Sequence, residues 1–540
     1  MQIKIRPFGR ARILLARSFF AACLVGAISL SAHDQAAPTQ GAYDVLIRGG
    51  RVLDGTGNPW RYADIAVRNG RIVAVGSLGK ASATHVIDAT GLYVSPGFID
   101  VHSHAGGGLA GDLNHARPLL AQGLTTVAVN PDGGGPVDIA AQRANYENRG
   151  VGVNVAIFIG HGSVRQQVLG MSDRDPNKED LLRMAFFVRT AMRAGAVGLS
   201  SGLYYAPGSY AKTEEVIELA RVAAESGGIY SSHIRDEADY SVGVVAAVEE
   251  VIRIAEEAKL PGIVSHMKAL GPRSWGLAHV LTRRIDAARD RGVEVYADQY
   301  PYEASGTGIG GALIPRWAQV GGRVELLKRM QGPERPRLLA DIRANLQRRD
   351  GPEKLMVSRY APDPSFEGLR LSEVAQKMGL APEETALALL ERGDAGLVSF
   401  NMSEEDIVHI MRQPYTMTCT DGDLVPLGQG KPHPRAYGAF VRKLAVYVRD
   451  RGVLDWASAI RSMTSLPASV FGMKDRGELR PGAWGDILVF DPLKLREVGT
   501  YRDPHHLAEG MVYELVNGQL VRDRGEFTGA LPGKVVTPER

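Results

Sequence analysis

The sequence predicts an α/β protein: a (β/α)8 TIM-type barrel with a small β-sandwich domain built from both ends of the chain. Three observations lead to this class. Short alternating strands occupy the two ends, eight apolar runs alternate with helical stretches in the middle, and polar residues cluster where those runs end. A length of 540 residues exceeds one ordinary core, so two domains, one of them large, are expected.

Residues 1–32 have the pattern of a secretory signal peptide. Five basic side chains precede an apolar stretch from Phe19 to Leu30, and small residues follow it. We therefore expect export to the periplasm and no stable membrane association after signal removal. The rest of the chain keeps 58 of the 63 basic and all 60 acidic side chains, a formal net charge of −2 that offers no electrostatic case for nucleic acid.

The β-sandwich domain is predicted from residues 43–96 and 475–530. Alternating apolar residues predict a strand from Tyr43 to Arg48. Asn69-Gly70 and Asn517-Gly518 each lie between two such runs, and this dipeptide supplies the positive φ angles of a tight hairpin turn. Each chain end is therefore expected to contribute a hairpin to this domain.

The metal-dependent barrel is predicted over residues 97–474. Its helical stretches include Val244 to Ala258, where apolar residues recur at spacings of three and four. A doubly wound sheet would need a phosphate-binding GxGxxG after the first strand, and that motif is not completed there. The candidate strands end at His104, Asn130, His161, Tyr205, His233, His266, Tyr300 and Asp421. In a barrel, residues at these strand ends meet at one mouth.

One connection is unusually long. More than a hundred residues separate strands seven and eight, far more than a crossover requires. We interpret residues 303–415 as an inserted subdomain, much of it charged and helical, as in 323–349. The insert is expected either to cover the barrel mouth like a lid or to decorate the surface elsewhere.

Two histidines, His102 and His104, lie one residue apart at the end of the first barrel strand. In an extended chain both imidazoles project to one side and can hold one ion. His233, His266 and Asp421 follow later strands. Four histidines and a carboxylate at one mouth suggest a hydrolytic metal centre, with Asp421 as the base that takes a proton from water and passes it to the leaving nitrogen.

The segment from Gly97 to His104 resembles the amidohydrolase superfamily, and other segments resemble more narrowly the N-acyl-D-amino-acid deacylase (D-aminoacylase) family. These segments are 198–205, 213–220, 232–237, 265–268, 300–302 and 433–435. The likeness implies a β-sandwich beside a (β/α)8 barrel, with one or two zinc ions. It also implies hydrolysis of the amide bond of N-acyl-D-amino acids, or of dipeptides ending in a D-residue, to a carboxylate and a free amino acid.

The resemblance also implies individual roles on this chain. His233 and His266 would hold the tighter zinc, His102 and His104 would serve a second, weaker position, and Asp421 would be the catalytic acid and base. The carboxylate of a small-molecule substrate would be held by Tyr205, Lys268 and Arg435, with Tyr302 nearby. A guanidinium pairs well with a carboxylate, and a lysine adds a point charge.

One position departs from the family pattern. The family often has a cysteine ligand at the end of strand two, whereas this chain has Asp132 there. A carboxylate binds or bridges zinc but is a harder ligand than a thiolate. Asp132 could ligate and permit two metals, ligate weakly and leave one, or be a turn residue in a glycine-rich loop; ligation is our prediction.

Two other functions stay open. The same centre could hydrolyse a different amide, a cyclic amide or a lactone, and Arg435 and Lys268 would then be dispensable. A non-catalytic metal-binding barrel is the other class; only the departure at Asp132 favours it, and the retention of Asp421 argues against it. The sequence leaves the acyl group, the amino-acid side chain and the oligomeric state undetermined.

Overall fold

The computed structural model describes residues 43–539, and the predicted signal peptide lies outside these described residues. The strands are β1 (Tyr43–Val52), β2 (Arg61–Arg68), β3 (Arg71–Gly76), β4 (Ala83–Asp88), β5 (Tyr93–Pro96), β6 (Phe98–Asp100), β7 (Leu124–Val129), β8 (Asn154–Gly160), β9 (Gly198–Gly202), β10 (Ile229–His233), β11 (Gly262–Val264), β12 (Val295–Gln299), β13 (Ser305–Gly308), β14 (Leu355–Arg359), β15 (Gly396–Ser399), β16 (Thr416–Thr418), β17 (Ile487–Phe490), β18 (Met511–Val516), β19 (Gln519–Asp523) and β20 (Glu526–Phe527). They form sheets of nine, eight and three strands.

Helices connect most of these strands. They are α1 (Gly106–Ala110), α2 (Arg117–Leu120), α3 (Ile139–Arg149), α4 (His161–Leu169), α5 (Lys178–Arg193), α6 (Thr213–Ala224), α7 (Val244–Ala258), α8 (Ala278–Asp290), α9 (Ile309–Ala312), α10 (Arg323–Gln331), α11 (Arg335–Arg348), α12 (Leu371–Met378), α13 (Pro382–Arg392), α14 (Glu404–Met411), α15 (Arg435–Arg442), α16 (Trp456–Met463) and α17 (Ser465–Val470), and a π-helix, Lys443–Asp450, continues α15. Within residues 43–539, none of the helices combines the length and apolarity needed to span a bilayer.

The nine-stranded sheet takes strands from both ends of the chain. Its order is β20-β19-β18-β17-β5-β1-β2-β3, with β4 beside β1. The two ends meet where β17 pairs antiparallel with β5. Both predicted hairpins are confirmed, because β2 turns into β3 at Asn69-Gly70 and β18 into β19 at Asn517-Gly518, with positive φ at all four residues.

The eight-stranded sheet is parallel and runs in the order β6-β7-β8-β9-β10-β11-β12-β16. The cylinder closes just above the last strand. The amide of Asp421 donates to the carbonyl of His102 at 2.9 Å, and the amide of His104 donates to the carbonyl of Gly422 at 3.0 Å. The predicted (β/α)8 barrel is confirmed, and residues at its mouth complete its closure.

Two helical stretches were predicted from the sequence, and the structure has the first as one helix and the second as two. Helix α7 spans Val244–Ala258 as predicted, with its apolar stripe buried against the barrel. The helical stretch from 323 to 349 is instead two helices, α10 and α11. Gly332 and Pro333 separate them, because proline lacks the amide that a continuing helix would need.

The insert between β12 and β16 has a sheet and a core of its own. Its strands β13, β15 and β14 pair antiparallel, and its helices bury a cluster that includes Leu338, Ile342 and Leu387. Residues 305–308 on β13, with Leu397 and Val398 on β15, line a cavity at the barrel mouth. The insert therefore forms part of the cavity wall above the barrel.

Candidate metal centre

The barrel delivers six potential ligands to its carboxyl-terminal mouth. His102 and His104 follow β6, Asp132 follows β7, and His233 is the last residue of β10. His266 lies two residues after β11, and Asp421 lies three residues after β16. All carry imidazole or carboxylate groups, the side chains that bind zinc.

Four of these side chains converge as a first group. The Nε2 atom of His104 lies 3.3 Å from Asp132 Oδ2 and 3.1 Å from Asp421 Oδ1. His102 Nε2 lies 3.3 Å from Asp132 Oδ1 and 3.6 Å from Asp421 Oδ1. One ligand atom from each of the four lies within 4.8 Å of the others, a spacing at which all can contact one ion.

A second group shares Asp132 with the first. Asp132 Oδ1 lies 3.7 Å from His233 Nδ1 and 3.5 Å from His266 Nε2. These three residues again offer ligand atoms within 4.8 Å of one another. Asp132 Oδ1 faces His102 as well as His233 and His266, and Oδ2 faces His104. Asp132 therefore belongs to both groups and could serve an ion held by either one.

The backbone at the centre is constrained. Asp132, His266 and Asp421 have φ angles of 57°, 35° and 48°, in the left-handed region that side chains other than glycine rarely adopt. Hydrogen bonds secure two of them: His266 N donates to Asp298 Oδ1 at 2.6 Å, and Asp421 N donates to His102 O at 2.9 Å. Such conformations persist where the surrounding structure over-determines them.

Several buried polar atoms at the centre have no protein partner. Both ring nitrogens of His102, both ring nitrogens of His233 and Oδ1 of Asp132 are buried and accept or donate no hydrogen bond among the described residues. Leaving such atoms unsatisfied is unfavourable, and buried polar groups normally find partners. Nitrogen and oxygen atoms directed at one another in this way fit a metal ion.

Charge at the centre is balanced between the imidazoles and the carboxylates. Burial lowers the pKa of His233 to about 3, so this ring is neutral and can ligate. Burial and Lys268 also oppose protonation of His266, but Asp421 and Asp132 outweigh them and raise its pKa to about 9. These carboxylates therefore favour a positive charge between them, which is the condition a metal site requires.

A cationic side chain lies on each side of this centre. Lys268 Nζ donates to Glu237 Oε1 at 2.5 Å and lies 2.6 Å from His266 Nδ1. Arg435 Nη1 lies 2.7 Å from Asp421 Oδ2, and both of these side chains are buried. Glu237, which was not predicted as a site residue, faces His233 and His266 and neutralises Lys268. Its signal was its place four residues after His233.

The cavity above the centre has a volume of about 970 Å³. Tyr205, Lys268 and Arg435 all line it, as do His104, Asp132, His233, His266 and Asp421. The ring of Tyr205 lies 4.6 Å from that of His233, and its hydroxyl contacts Thr307 Oγ1 at 3.2 Å. The structure therefore brings these predicted substrate contacts and the potential ligands into one space.

Tyr302 is placed elsewhere, and its expected contact with the substrate needs correction. Its hydroxyl donates to Glu497 Oε1 at 2.7 Å, behind the cavity wall. Tyr300 lines the cavity instead and packs under the guanidinium of Arg435, 4.6 Å from the ring centre. Strand β12 ends at Gln299 and Pro301 follows, so the alternation expected of an extended chain does not hold for this pair.

Comparisons with known proteins agree with this geometry. A model of the amidohydrolase family matches residues 85–345 and 374–522. The D-aminoacylase of Alcaligenes xylosoxydans xylosoxydans is 32% identical over 519 residues, which are 92% of this chain and 97% of that protein. The N-acyl-D-glutamate deacylase of the same organism is 34% identical over 88% of this chain and 93% of its own length.

A solved structure is also similar. The crystal structure of N-acyl-D-glutamate deacylase from Bordetella bronchiseptica, complexed with zinc and a phosphonate mimic of the tetrahedral intermediate, has a TM-score of 0.79 and 34% identity. The match covers 92% of this chain and 100% of that one. Fold and site together define a metal-dependent hydrolase built on a (β/α)8 barrel. The chain belongs to the amidohydrolase family, in its D-aminoacylase group.

Proposed function

We propose that the protein is a zinc-dependent N-acyl-D-amino-acid deacylase, which hydrolyses the amide bond to a carboxylate and a free amino acid. One observation carries this proposal: Asp421 contacts His104 of the metal centre at 3.1 Å and Arg435 at 2.7 Å. A substrate that places its amide at the metal centre and a carboxylate at Arg435 has these two groups only a few bonds apart. An N-acyl amino acid has this arrangement. The D configuration is proposed from the relatives, whose names specify it.

Zinc would be held by the two groups of side chains already described. His233 and His266 would share one position with Asp132, and His102, His104 and Asp421 would share the other with it. When bound, zinc lowers the pKa of a water molecule and polarises the acyl carbonyl. The orphaned nitrogens of His102 and His233 support this assignment.

Asp421 would move the proton. Although burial raises its pKa, Arg435 and the nearby imidazoles hold the pKa of Asp421 well below its usual range. The side chain is therefore a carboxylate when the substrate arrives, and Oδ1 faces the centre. It can accept a proton from the attacking water and donate that proton to the leaving nitrogen.

Arg435 would orient both the substrate and the side chain of Asp421. Its guanidinium packs on Tyr300 and lies against Gly306, where a Cβ would be 3.2 Å from Nη2. A glycine at this position leaves space beside the arginine. Because the guanidinium presents several donors in a fixed fork, it can hold Asp421 and a substrate carboxylate together.

The test is hydrolysis of a panel of N-acetyl-D- and N-acetyl-L-amino acids by the full chain, with zinc removed by a chelator and then restored. We expect D-substrates to be cleaved only with metal, and Arg435→Ala to lower kcat/KM for these carboxylate-bearing substrates by about 100-fold. Inactivity on every D-substrate, or activity that survives complete stripping of metal, contradicts the proposal. Full activity of Arg435→Ala would indicate a substrate without a carboxylate.

A further inference from the structure

One arginine on the cavity wall has no ion-pair partner in the described part of the chain. Arg349 follows helix α11 directly, is 2% exposed and lines the cavity above the metal centre. Its guanidinium donates only to neutral groups: the carbonyl of Ala312 at 3.2 Å, the hydroxyl of Ser399 at 2.9 Å and the hydroxyl of Tyr204 at 3.3 Å. The negative charge of Glu237 acts on it from a longer distance, but no carboxylate oxygen lies within 4.0 Å of it among residues 43–539.

Two of the other buried arginines of the described chain form ion pairs, and the third, on β19, lies opposite a glutamate. Arg165 pairs with Glu215, and Arg435, which also lines the cavity, pairs with Asp421. Arg522 faces Glu514 across the β18–β19 ladder without a contact short enough for an ion pair. Burying a guanidinium without a counter-charge is unfavourable, and carbonyl and hydroxyl dipoles compensate it only in part. An unmatched buried cation on a ligand cavity therefore indicates that the ligand supplies the missing anion.

Arg349 lies near Arg435, the residue proposed to hold the substrate α-carboxylate. Ser399, which accepts its hydrogen bond, pairs across the sheet with Ser305, and the next residue, Gly306, lies against Arg435. Arg349 therefore contacts β15, and Arg435 contacts the paired strand β13 one residue further along. Neighbouring strands in a sheet lie ~5 Å apart. On its other side, the ring of Tyr204 lies 5.3 Å from that of His233, so this part of the cavity adjoins the metal centre.

We propose that Arg349, with the hydroxyl of Tyr204, binds a second anionic group of the substrate: the side-chain carboxylate of an N-acylated acidic D-amino acid. The inference rests on the proposed function, which supplies the amide at the metal centre and the α-carboxylate at Arg435. Arg349 acts here as a specificity-determining residue. Glu237 also lines the cavity and its charge acts on Arg349, but it does not replace the ligand because it is engaged by Lys268.

The experiment compares N-acetyl-D-glutamate with N-acetyl-D-glutamine, which have nearly the same shape and differ in charge. We expect the zinc-loaded full chain to prefer the glutamate substrate by at least about tenfold in kcat/KM. Arg349→Met should lower kcat/KM for the glutamate substrate by about 100-fold and change that for the glutamine substrate by less than about threefold. Arg349→Lys should fall between the two, since it retains the charge without the fork.

Arg348→Met is the matched control. It removes an equal charge one residue away, where Arg348 pairs with Asp239 at 3.3 Å. We expect both substrates to react within about threefold of wild type in this variant. Tyr204→Phe, which removes one hydroxyl and little volume, provides a second probe of the site in case Arg349→Met folds poorly, and it should lower the glutamate preference alone.

The outcomes separate this inference from the proposed function. Equal rates on the two substrates, or equal losses on both in Arg349→Met, would overturn the role of Arg349 while leaving deacylation intact. If no substrate reacts, the proposed function fails, and calorimetric binding of the same two ligands decides the inference alone. Tighter binding of the glutamate derivative that disappears in Arg349→Met supports an anion site, and equal binding of both ligands overturns it.

Discussion

At the scale of single residues, Asp132 makes the widest set of contacts in the metal centre. Its two oxygens lie within 3.7 Å of nitrogens on His102, His104, His233 and His266. A left-handed φ of 57° turns the side chain inward from a glycine-rich loop. The geometry favours ligation by Asp132, as predicted, over a role in the turn alone.

Replacement of Asp132 tests this role directly. Asp132→Ala should lower the zinc content per chain, measured by plasma mass spectrometry, because it removes the one ligand shared by both groups. Asp132→Cys should retain zinc, since a thiolate is a good zinc ligand. Asp112→Ala, which changes an exposed carboxylate in the same half of the barrel, is the control. Full zinc occupancy in Asp132→Ala would mean that Asp132 serves the turn.

Asp421 gives a second prediction at this scale. Asp421→Asn keeps the shape but removes the proton acceptor, so kcat/KM should fall by about 1000-fold. Asp290→Asn removes an exposed carboxylate at the end of α8 and should stay within about threefold of wild type. Kinetics on metal-loaded protein, with zinc content measured in parallel, distinguish a lost base from a lost metal. Activity of Asp421→Asn near that of wild type would exclude Asp421 as the base.

At the scale of elements, the two Asn-Gly turns do more than reverse their own strands. Gly485 N donates to Gly70 O at 2.8 Å, and Gly518 N donates to Gly485 O at 2.9 Å. A Cβ on Gly518 would lie 2.5 Å from the Cα of Gly70. The hairpins from opposite ends of the chain therefore pack backbone against backbone, and this contact joins the two halves of the nine-stranded sheet.

This contact predicts an unequal response to two glycine substitutions. Gly518 and Gly529 have φ angles of +80° and +81°, but a Cβ on Gly529 would meet nothing within 4 Å. Gly529→Ala should cost about 1 kcal/mol for backbone strain alone, whereas Gly518→Ala should cost about 2 kcal/mol more, because the turns must separate. Apparent Tm values report the difference. Equal shifts would show that the turns do not depend on close approach.

At the scale of the whole molecule, a buried lysine couples global stability to pH. Lys443 begins the π-helix behind the barrel, and its Nζ donates to Thr418 Oγ1 at 2.8 Å and to Ser462 Oγ at 2.9 Å. Burial lowers its pKa to about 7. Between this value and the unfolded pKa of 10.5 the unfolded chain binds one more proton than the folded chain, so stability rises with pH across that window.

Lys443→Met should therefore flatten the pH dependence of stability. The difference in unfolding free energy between wild type and variant should change by up to about 1.4 kcal/mol per pH unit between pH 7 and 10. Denaturant unfolding at several pH values measures it, and Lys474→Met, at an exposed position, is the control. Parallel curves for wild type and Lys443→Met would show that Lys443 stays charged when folded.

Much of the architecture was predictable because its signals are local. The apolar periodicity of Val244–Ala258 sets a helix within one segment, and Asn517-Gly518 sets a turn within two residues. His102 and His104 were found because spacing along one strand places both on one side. The sequence did not predict that Tyr300, rather than Tyr302, lines the cavity, because Pro301 redirects the chain just where the strand ends.

The amino-acid sequence by itself determined the barrel, the residue types of a hydrolytic centre and the strand ends that carry them, because hydrophobic periodicity and strand order depend on neighbours in the chain. Only the tertiary structure decided that Asp132 belongs to two groups of ligands, that Glu237 neutralises Lys268 and that Arg349 faces the cavity with no ion-pair partner among residues 43–539. Those relations depend on distances between residues far apart in the chain, and the packing of the barrel and its insert sets them.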